Sequence, residues 1–274
     1  MKTFRDPKKL QKWCRARRLA GAKIALVPTM GYLHEGHVSL IEKAKEKGAD
    51  EIVVSVFVNP VQFCPGEDYE KYPRDEKADL AKCRAAGATA VFFPTPANMY
   101  LDRHSVYVNE EDLSKGLCGA RRPGHFRGVC TVVAKLFNLA HPNFAVFGQK
   151  DYQQAQVIKR MVRDLNFDLD IVVAPIVREP SGLARSSRNT YLSPAERENA
   201  LALSRSLRDV TIGKTVVAEA KRIRAELEKA GLRVECVEFV DGETLEPVKK
   251  VAKGVCVLLA AYDGKTRLID NRVI

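Results

Sequence analysis

The organisation of this chain follows from one stretch near its N-terminus, Val27-Pro28-Thr29-Met30-Gly31-Tyr32-Leu33-His34-Glu35-Gly36-His37. The apolar run that precedes it, residues 23–27, is typical of a buried parallel strand. After it, apolar side chains recur at helical spacing from Val38 to Ala44. The two histidines are therefore predicted to lie where a strand gives way to the start of a helix.

The start of a helix attracts anions, because the N–H groups of its first turn lack partners within the helix and its dipole is positive there. His34 and His37 are predicted to share one face of the helix, and Gly36 lets a flat ligand approach the backbone. A zinc-protease site is excluded, because that motif has its histidines at i and i+4. The pattern favours a nucleotide site over two histidines that merely decorate a helix end.

A second polar segment follows the next predicted strand. Residues 51–58 form a nearly continuous β-branched run, which is typical of a central parallel strand covered on both faces. The run leads into Asn59 and Gln62, and in an open α/β sheet ligands bind outside the carboxyl ends of the strands. Both amides are predicted to face a ligand, and the alternative for Gln62 is an amide that caps a loop.

The strand–turn–helix design is repeated further along the chain. A predicted strand at 143–147 ends in Gly148-Gln149-Lys150-Asp151, which opens another helix. Lys150 carries a compact positive charge that suits a polyphosphate. The other elements predicted in this half are helices at 8–20, 75–86 and 129–140 and short strands at 90–94 and 106–108.

A loop rich in hydroxyl groups and cations, residues 178–189, follows. Such a loop offers many hydrogen-bond donors and suits a lid that closes over a triphosphate. The alternative is a mobile surface linker.

The composition shifts from Ser193 onward. Ser193-Pro194-Ala195-Glu196 is a strong helix start, and helices are predicted at 194–209 and 215–230. Strands are predicted at 234–240, 255–262 and 266–269, with a hairpin turn at Asp263-Gly264. The predicted fold is α/β, with a Rossmann-like parallel-sheet domain over residues 1–175. A smaller α+β domain, residues 176–274, carries the lid loop.

Composition narrows the class of protein. The net charge is +11, but the 45 basic residues are interleaved with 34 acidic ones, and no basic run carries the aromatics of a single-strand binder. Nucleic-acid binding is therefore the less favoured reading. The seven cysteines include no C-x-x-C pair, which argues for a reducing cytosol and against a disulfide framework or zinc site. Neither a membrane-spanning apolar run nor a signal peptide is recognised.

Several separated motifs together resemble the pantothenate synthetase (pantoate–β-alanine ligase) family, within the His-x-Gly-His nucleotidyl-transferring α/β enzymes. The segments that carry the resemblance are, in chain order, residues 27–37, 57–63, 72–75, 119–137, 147–154 and 186–188. His125 lies in the fourth of these, within Arg-Pro-Gly-His-Phe, and is interpreted as a structural loop histidine.

The resemblance implies ATP-dependent condensation of (R)-pantoate with β-alanine, through a pantoyl-adenylate, to give pantothenate, AMP and pyrophosphate. It implies ATP with Mg²⁺, and a cytoplasmic homodimer without a nucleic-acid or membrane partner. Catalytic roles would fall to His37, His34 and Lys150, and pantoate contacts to Gln62 and Gln154. The residues that would line ATP are Met30, Gly31, Tyr32, Leu33, His34, Glu35, Gly36, His37, Gly148, Gln149, Lys150, Asp151, Val177, Arg185, Ser186, Ser187 and Arg188.

The chain departs from the family pattern at three positions. Gln149 stands where the family usually has Glu, Arg185 where it has Met, and Ser181 where it has an acidic residue. The alternative enzyme is another His-x-Gly-His nucleotidyl transferase, which a phosphate-bearing acceptor in place of a carboxylate would reveal.

Overall fold

The strand predicted before the histidine motif is present and spans Ile24–Thr29 in the computed structural model, which describes residues 1–274. Contacts divide the chain into two units, described separately below. Unit 1 comprises Met1–Gly148 and Gln154–Ala174, and unit 2 comprises Gln149–Gln153 and Pro175–Ile274. The short segment Gln149–Gln153 thus groups with unit 2, although it falls within the first predicted domain.

Unit 1 is built on a sheet of six strands that pair in parallel throughout. The strands are β1 (Lys2–Phe4), β2 (Ile24–Thr29), β3 (Glu51–Val56), β4 (Ala90–Phe92), β5 (Phe144–Gly148) and β6 (Asp170–Ala174). Their spatial order is β1-β4-β3-β2-β5-β6. The chain therefore winds outward from β2 to one side and resumes at β5 on the other, which places the topological switch point between β2 and β5.

Five of the seven helices in the first half of the chain were predicted from periodicity and are present. The seven are α1 (Pro7–Leu19), α2 (Glu35–Glu46), α3 (Glu76–Ala86), α4 (Pro96–Met99), α5 (Leu117–Arg121), α6 (His125–Ala140) and α7 (Tyr152–Asp164). The two short ones, α4 and α5, were not predicted. α1 begins where expected because the Asp6 carboxylate accepts a hydrogen bond from Lys9 N at 3.0 Å and Pro7 follows it. α6 begins at His125, one turn before the predicted start.

The strand β2 is buried in the core of unit 1. Ile24, Ala25, Leu26 and Val27 are all at most 1% exposed, as expected for a parallel strand covered on both faces. Burying each of the larger side chains contributes about 1.5–3 kcal/mol to the free energy of folding.

One predicted strand is wrong. Residues 106–108 pair with no strand; instead Val108 N donates to the Thr131 side chain at 3.0 Å. Val106 is 76% exposed, so its β-branched side chain has no sheet to cover. The β-propensity of the segment is not matched by neighbours against which it could pack.

Unit 2 contains a three-stranded antiparallel sheet and two helices. The helices are α8 (Pro194–Arg208) and α9 (Val216–Lys229), and the strands are β7 (Arg233–Asp241), β8 (Val255–Asp263) and β9 (Thr266–Val273). β8 and β9 are joined by the predicted turn, with Asp263 paired to Thr266. Leu203, Leu207 and Ile223 are buried in a core of their own with strand residues. The predicted fold class is confirmed. No helix has the length and apolar character needed to cross a membrane.

Candidate active site

The turn between β2 and α2 is fixed by backbone conformation and close packing. Gly31 has φ +85° and Tyr32 has φ +51°, both in the left-handed region. A Cβ on Gly31 would lie 2.7 Å from Val56 Cγ1 and 3.0 Å from the Asp79 carboxylate. Only glycine fits at this position without displacing the Val56 or Asp79 side chain.

A buried carboxylate from α3 holds the same turn. Asp79 accepts hydrogen bonds from Tyr32 N at 2.9 Å and from Leu33 N at 2.7 Å, and Lys82 donates to the Leu33 carbonyl. Burial raises the pKa of the Asp79 carboxyl, against the two backbone hydrogen bonds, which lower it. Asp79 is not among the residues predicted from the sequence; the signal for it is an acidic residue one turn before Cys83, on the buried face of α3.

The two histidines lie side by side, but not as predicted on one face of the helix. His34 is the residue that precedes α2, with extended backbone, and His37 is in the first turn. His34 Nδ1 accepts from Gly36 N at 3.1 Å, and His37 Nδ1 accepts from His34 N at 3.2 Å. Their ring centroids are 4.1 Å apart.

This reciprocal capping defines the chemistry of both rings. A ring nitrogen that accepts an N–H cannot itself carry the proton, so in each neutral imidazole the proton resides on Nε2. Both rings therefore have an Nε2–H donor at the positive end of a helix, where an anion is stabilised.

Gln62 is brought to the same part of unit 1 by a 3₁₀ turn, Pro60–Gln62. Its amide nitrogen lies 3.2 Å from Met30 Sδ, and its amide oxygen accepts from Asn59 Nδ2 at 3.1 Å. The Asn59 oxygen accepts from the Tyr100 hydroxyl at 2.6 Å. Asn59 is thus a buried amide that is hydrogen-bonded to Gln62 and Tyr100, and its contact with a ligand stays a prediction.

His125 contacts the backbone of Gln62. Its Nδ1 lies 2.8 Å from the Gln62 carbonyl oxygen, so Nδ1 is the protonated nitrogen, and its Nε2 lies 2.9 Å from the Arg122 guanidinium. Arg122 also pairs with both oxygens of Glu67, at 2.6 and 2.7 Å. Burial alone would raise the pKa of Glu67, but the hydrogen bonds and charge of Arg122 lower it overall. These contacts agree with a structural role for His125.

A separate cavity of about 220 Å³ lies in unit 1 on the side of Gly31 that faces Asp79. Its walls include Phe57 after β3, Phe93 after β4 and Asp75 before α3, but neither histidine and not Gln62. The cavity therefore adjoins the turn without including the predicted catalytic groups.

In unit 2 the Lys150 segment is a short 3₁₀ turn, Gln149–Asp151. The Lys150 ammonium lies 3.7 Å from the Asp151 carboxylate, too far for a strong hydrogen bond. Gln149 donates through its amide to Asn271 at 3.2 Å. In unit 1, Gly148 ends β5 and Gln154 is half-buried on α7.

The predicted lid segment forms a small hairpin. Arg178 pairs with Ala184 in an antiparallel bridge, and Arg185 N donates to the Val177 carbonyl at 2.9 Å. Ser186 then caps a 3₁₀ turn by accepting from Arg188 N at 3.3 Å. The hairpin brings Val177 beside Arg185, and the chain leads directly to Ser186, Ser187 and Arg188.

Glu179 is the electrostatic centre of this hairpin. It lies 3.0 Å from Arg197, 3.6 Å from Arg185 and 3.2 Å from the Asn189 amide. Arg185, where the family has Met, is therefore next to a carboxylate within unit 2. The role of this segment as a lid stays a prediction.

Comparison with protein families shows the family of this chain. A family model described as Pantoate-beta-alanine ligase matches residues 2–273. This chain belongs to the pantoate–β-alanine ligase family. The family predicted from the motifs is confirmed, and with it the enzyme class, a ligase that joins pantoate to β-alanine.

Individual relatives agree over almost the whole chain. Pantothenate synthetase of Anaeromyxobacter dehalogenans is 56% identical, covering 97% of this chain and 96% of the relative. That of Myxococcus xanthus is 52% identical, covering 99% and 94%. A crystal structure of pantothenate synthetase from Thermus thermophilus superposes with a TM-score of 0.91 at 40% identity, covering 100% of this chain and 99% of that one.

A further solved structure carries ligands. Pantoate-beta-alanine ligase from Francisella tularensis, complexed with β-γ ATP and β-alanine, has a TM-score of 0.84 at 34% identity. The match covers 100% of this chain and 97% of the Francisella tularensis chain. The roles of individual residues in this chain stay predictions.

Proposed function

We propose that this chain condenses (R)-pantoate with β-alanine in a reaction driven by ATP, through a pantoyl-adenylate intermediate. Membership of the family supports the overall reaction, and the Francisella tularensis ligase was crystallised with β-γ ATP and β-alanine. ATP is a substrate in this scheme, consumed to AMP and pyrophosphate.

The reaction consists of two displacements. A pantoate carboxylate oxygen attacks the α-phosphorus of ATP, and the bond to the β-phosphate oxygen breaks to release pyrophosphate. The β-alanine amine then attacks the acyl carbon of the adenylate, loses a proton and displaces AMP. Neither step requires a protein nucleophile, so the enzyme acts by positioning and by stabilising charge.

The observation that carries the proposal is the reciprocal capping of His34 and His37. With both Nδ1 atoms accepting backbone N–H groups, the two Nε2–H groups are the donors that we assign to the phosphates. Negative charge grows on the phosphate oxygens as pyrophosphate departs, and preorganised donors stabilise that charge. His37, in the first turn of α2, is the better candidate for the proton donor.

The remaining assignments follow the motifs. In unit 1 we assign the backbone of residues 30–36 and Gly148 to ATP, and Gln62 and Gln154 to pantoate. In unit 2 we assign Gln149, Asp151, Val177 and Arg185 to the nucleotide. Its phosphates are assigned to Lys150, Ser186, Ser187 and Arg188.

Magnesium is proposed to enter with ATP. Mg²⁺ keeps much of its water and is usually bound through substrate phosphates with one or two carboxylates. The structure contains no group of three or more His, Cys, Asp or Glu side chains that could hold a metal ion. A homodimer and a cytoplasmic location are also proposed, on the family resemblance alone.

Pyrophosphate release tests the reaction directly. With MgATP and pantoate but no β-alanine, we expect a burst stoichiometric with enzyme, and steady turnover once β-alanine is added. Absence of both from folded, ATP-binding protein would contradict the proposal and point to another carboxylate or phosphate acceptor. Salt-sensitive retention of arbitrary nucleic acid, without turnover, would instead favour the nucleic-acid alternative.

A further inference from the structure

The C-terminal strand β9 contacts the Lys150 turn through one buried amide. Asn271 is 2% exposed, and its Nδ2 donates to the carbonyl oxygens of Gln149 at 3.0 Å and Lys150 at 2.9 Å. Its Oδ1 accepts from the Gln149 side chain at 3.2 Å. Two hydrogen bonds from this side chain thus hold the backbone that carries Lys150, and a third holds the Gln149 side chain.

The preceding residue contacts a different segment of unit 2. Asp270, 3% exposed, pairs with the Arg178 guanidinium through two hydrogen bonds of 2.6 and 2.9 Å. Arg178 also donates to the Gly182 carbonyl at 3.1 Å, across the turn of the hairpin. Asp270 in this way holds the base of the hairpin that leads to Ser186–Arg188.

The two anchors lie next to each other because of strand geometry. Successive side chains of a strand point to opposite faces, so Asp270 and Asn271 reach separate segments from one point on β9. They are also coupled, since an Asp270 oxygen accepts from Asn271 N at 2.8 Å. A carboxylate at 271 would have no N–H to offer the two carbonyls.

We propose that Asp270 and Asn271 are positioning residues for the triphosphate. Asn271 sets the position of Lys150, and Asp270 sets the hairpin that presents Ser186–Arg188. The inference rests on the proposed function, because it matters to catalysis only where Lys150 and this loop hold phosphates.

The first test is a double-mutant cycle between Asn271 and Lys150. Asn271→Asp keeps the size of the side chain and removes its donors, and Asn271→Ala removes the side chain. We expect kcat/KM for MgATP to fall roughly 10- to 100-fold in either variant, as for a small misplacement of a catalytic group. KM for β-alanine should stay within twofold of its original value, because Asn271 acts on the triphosphate alone.

The cycle separates positioning from a general structural role. In the Lys150→Ala background, Asn271→Ala should cost at least roughly threefold less than in the original background, because Lys150 is gone and only the contacts with Gln149 remain to be lost. Asn271→Ser, whose hydroxyl can donate to one carbonyl, should recover part of the loss in the original background. Should Asn271→Ala be too unstable to measure, Asn271→Asp and Asn271→Ser give the same comparison.

Glu235→Gln is the matched control. Glu235 on β7 pairs with Arg267 on β9 at 3.0 Å, so the control removes an ion pair that β9 makes with β7 and not with the Lys150 turn or the hairpin. It should leave kcat/KM for MgATP within twofold.

The role proposed for Asp270 is tested by a second double-mutant cycle, between Asp270 and Arg188. Asp270→Asn should lower kcat/KM for MgATP at least fivefold, and this effect should be at least halved in the Arg188→Ala background, where one of the phosphate contacts that the hairpin presents is gone. A decrease in kcat/KM of the same size in both backgrounds would overturn the role proposed for Asp270.

The outcomes distinguish the inference from the proposed function. If Lys150→Ala lowers kcat/KM for MgATP strongly but Asn271→Ala has no effect, or an equal effect in both backgrounds, the inference is overturned and the function stands. If Lys150→Ala itself changes kcat/KM by less than twofold, the phosphate role of Lys150 is wrong and the inference fails with it.

Discussion

His37 Nδ1 accepts the backbone N–H of His34 at 3.2 Å, so the second histidine of the motif caps the helix start formed by the first. The same ring thereby performs two tasks: Nδ1 stabilises the turn, and Nε2 carries the proton. Because the tasks belong to different atoms, substitutions can separate them.

The first prediction uses that separation. Asn at position 37 can place an acceptor near the position of Nδ1, whereas Gln can place an N–H donor near that of Nε2. We expect His37→Asn to retain stability within about 0.5 kcal/mol, because the acceptor that caps the helix is kept, and to lose turnover about 10²–10³-fold, as on loss of an oxyanion donor. His37→Gln should retain more turnover and lose about 1 kcal/mol of cap stability.

Single-turnover adenylate formation and urea unfolding check these two variants, with His37→Ala expected to lose both properties. A loss of turnover below threefold in His37→Ala would remove this residue from the mechanism. Equal behaviour of the Asn and Gln variants would contradict the separation of tasks between the two nitrogens.

The second prediction concerns the packing of Gly31. Gly21 and Gly31 have nearly the same positive φ, +84° and +85°, but a Cβ on Gly21 would meet nothing within 4 Å. Gly21→Ala should therefore cost only the conformational penalty, roughly 1–2 kcal/mol, with turnover unchanged.

Gly31→Ala should cost more stability than Gly21→Ala and weaken ATP binding at least tenfold, because the new methyl group collides with Val56 and Asp79. Thermal unfolding and ATP titration of the two variants measure the difference. Equal losses of stability with unchanged ATP affinity in both would show that the turn tolerates a side chain at position 31.

The third prediction concerns His125, whose Nδ1 lies 2.8 Å from the Gln62 carbonyl. Its removal should let the Gln62 turn shift, so His125→Ala is expected to raise KM for pantoate roughly tenfold and to leave KM for ATP within twofold. The exposed His141, at the end of α6 in the left-handed region, provides the control His141→Asn. An equal rise in both KM values for His125→Ala would indicate general loosening instead.

Local pattern was sufficient for part of this fold and not for the rest. The run from Ile24 to Glu46 follows from apolar periodicity, a glycine turn and a polar helix start, all within one short segment. Asp79 and Asn271 are different, because they hold the backbone of residues 46 and 121 or more positions away. A buried carboxylate or amide is recognisable in sequence only once its distant partner is known.

The same reasoning explains two errors in the predicted strands, one strand that was not predicted and one that does not form. β1 spans three residues at the edge of the sheet, too short for an alternating pattern, and was not predicted. The strand predicted at 106–108 had the right composition, but composition does not tell whether a neighbouring strand is available. The histidine motif predicts the helix start correctly, whereas the reciprocal capping of the two rings depends on side-chain conformations that the sequence does not determine by itself.

The fourth prediction concerns pH and Asp79. Burial raises the pKa of this carboxyl in the folded protein, so the folded state binds the proton more tightly than the unfolded state does. Its contribution to stability is therefore fully present below the ordinary aspartate pKa, about 3.9, and is lost as the pH rises through the raised value. Asp79→Asn removes this titration.

Urea unfolding of both proteins across this acidic range should give a difference that follows that sign: the original protein loses stability relative to Asp79→Asn as the pH rises. At neutral pH the variant should still be less stable by about 1–3 kcal/mol, because an amide can accept only one of the two backbone N–H groups. A difference between the two proteins that does not change with pH, or that changes in the opposite direction, would show that Asp79 titrates at or below its ordinary pKa. The carboxylate would then hold the Tyr32–Leu33 turn without the burial penalty inferred for it.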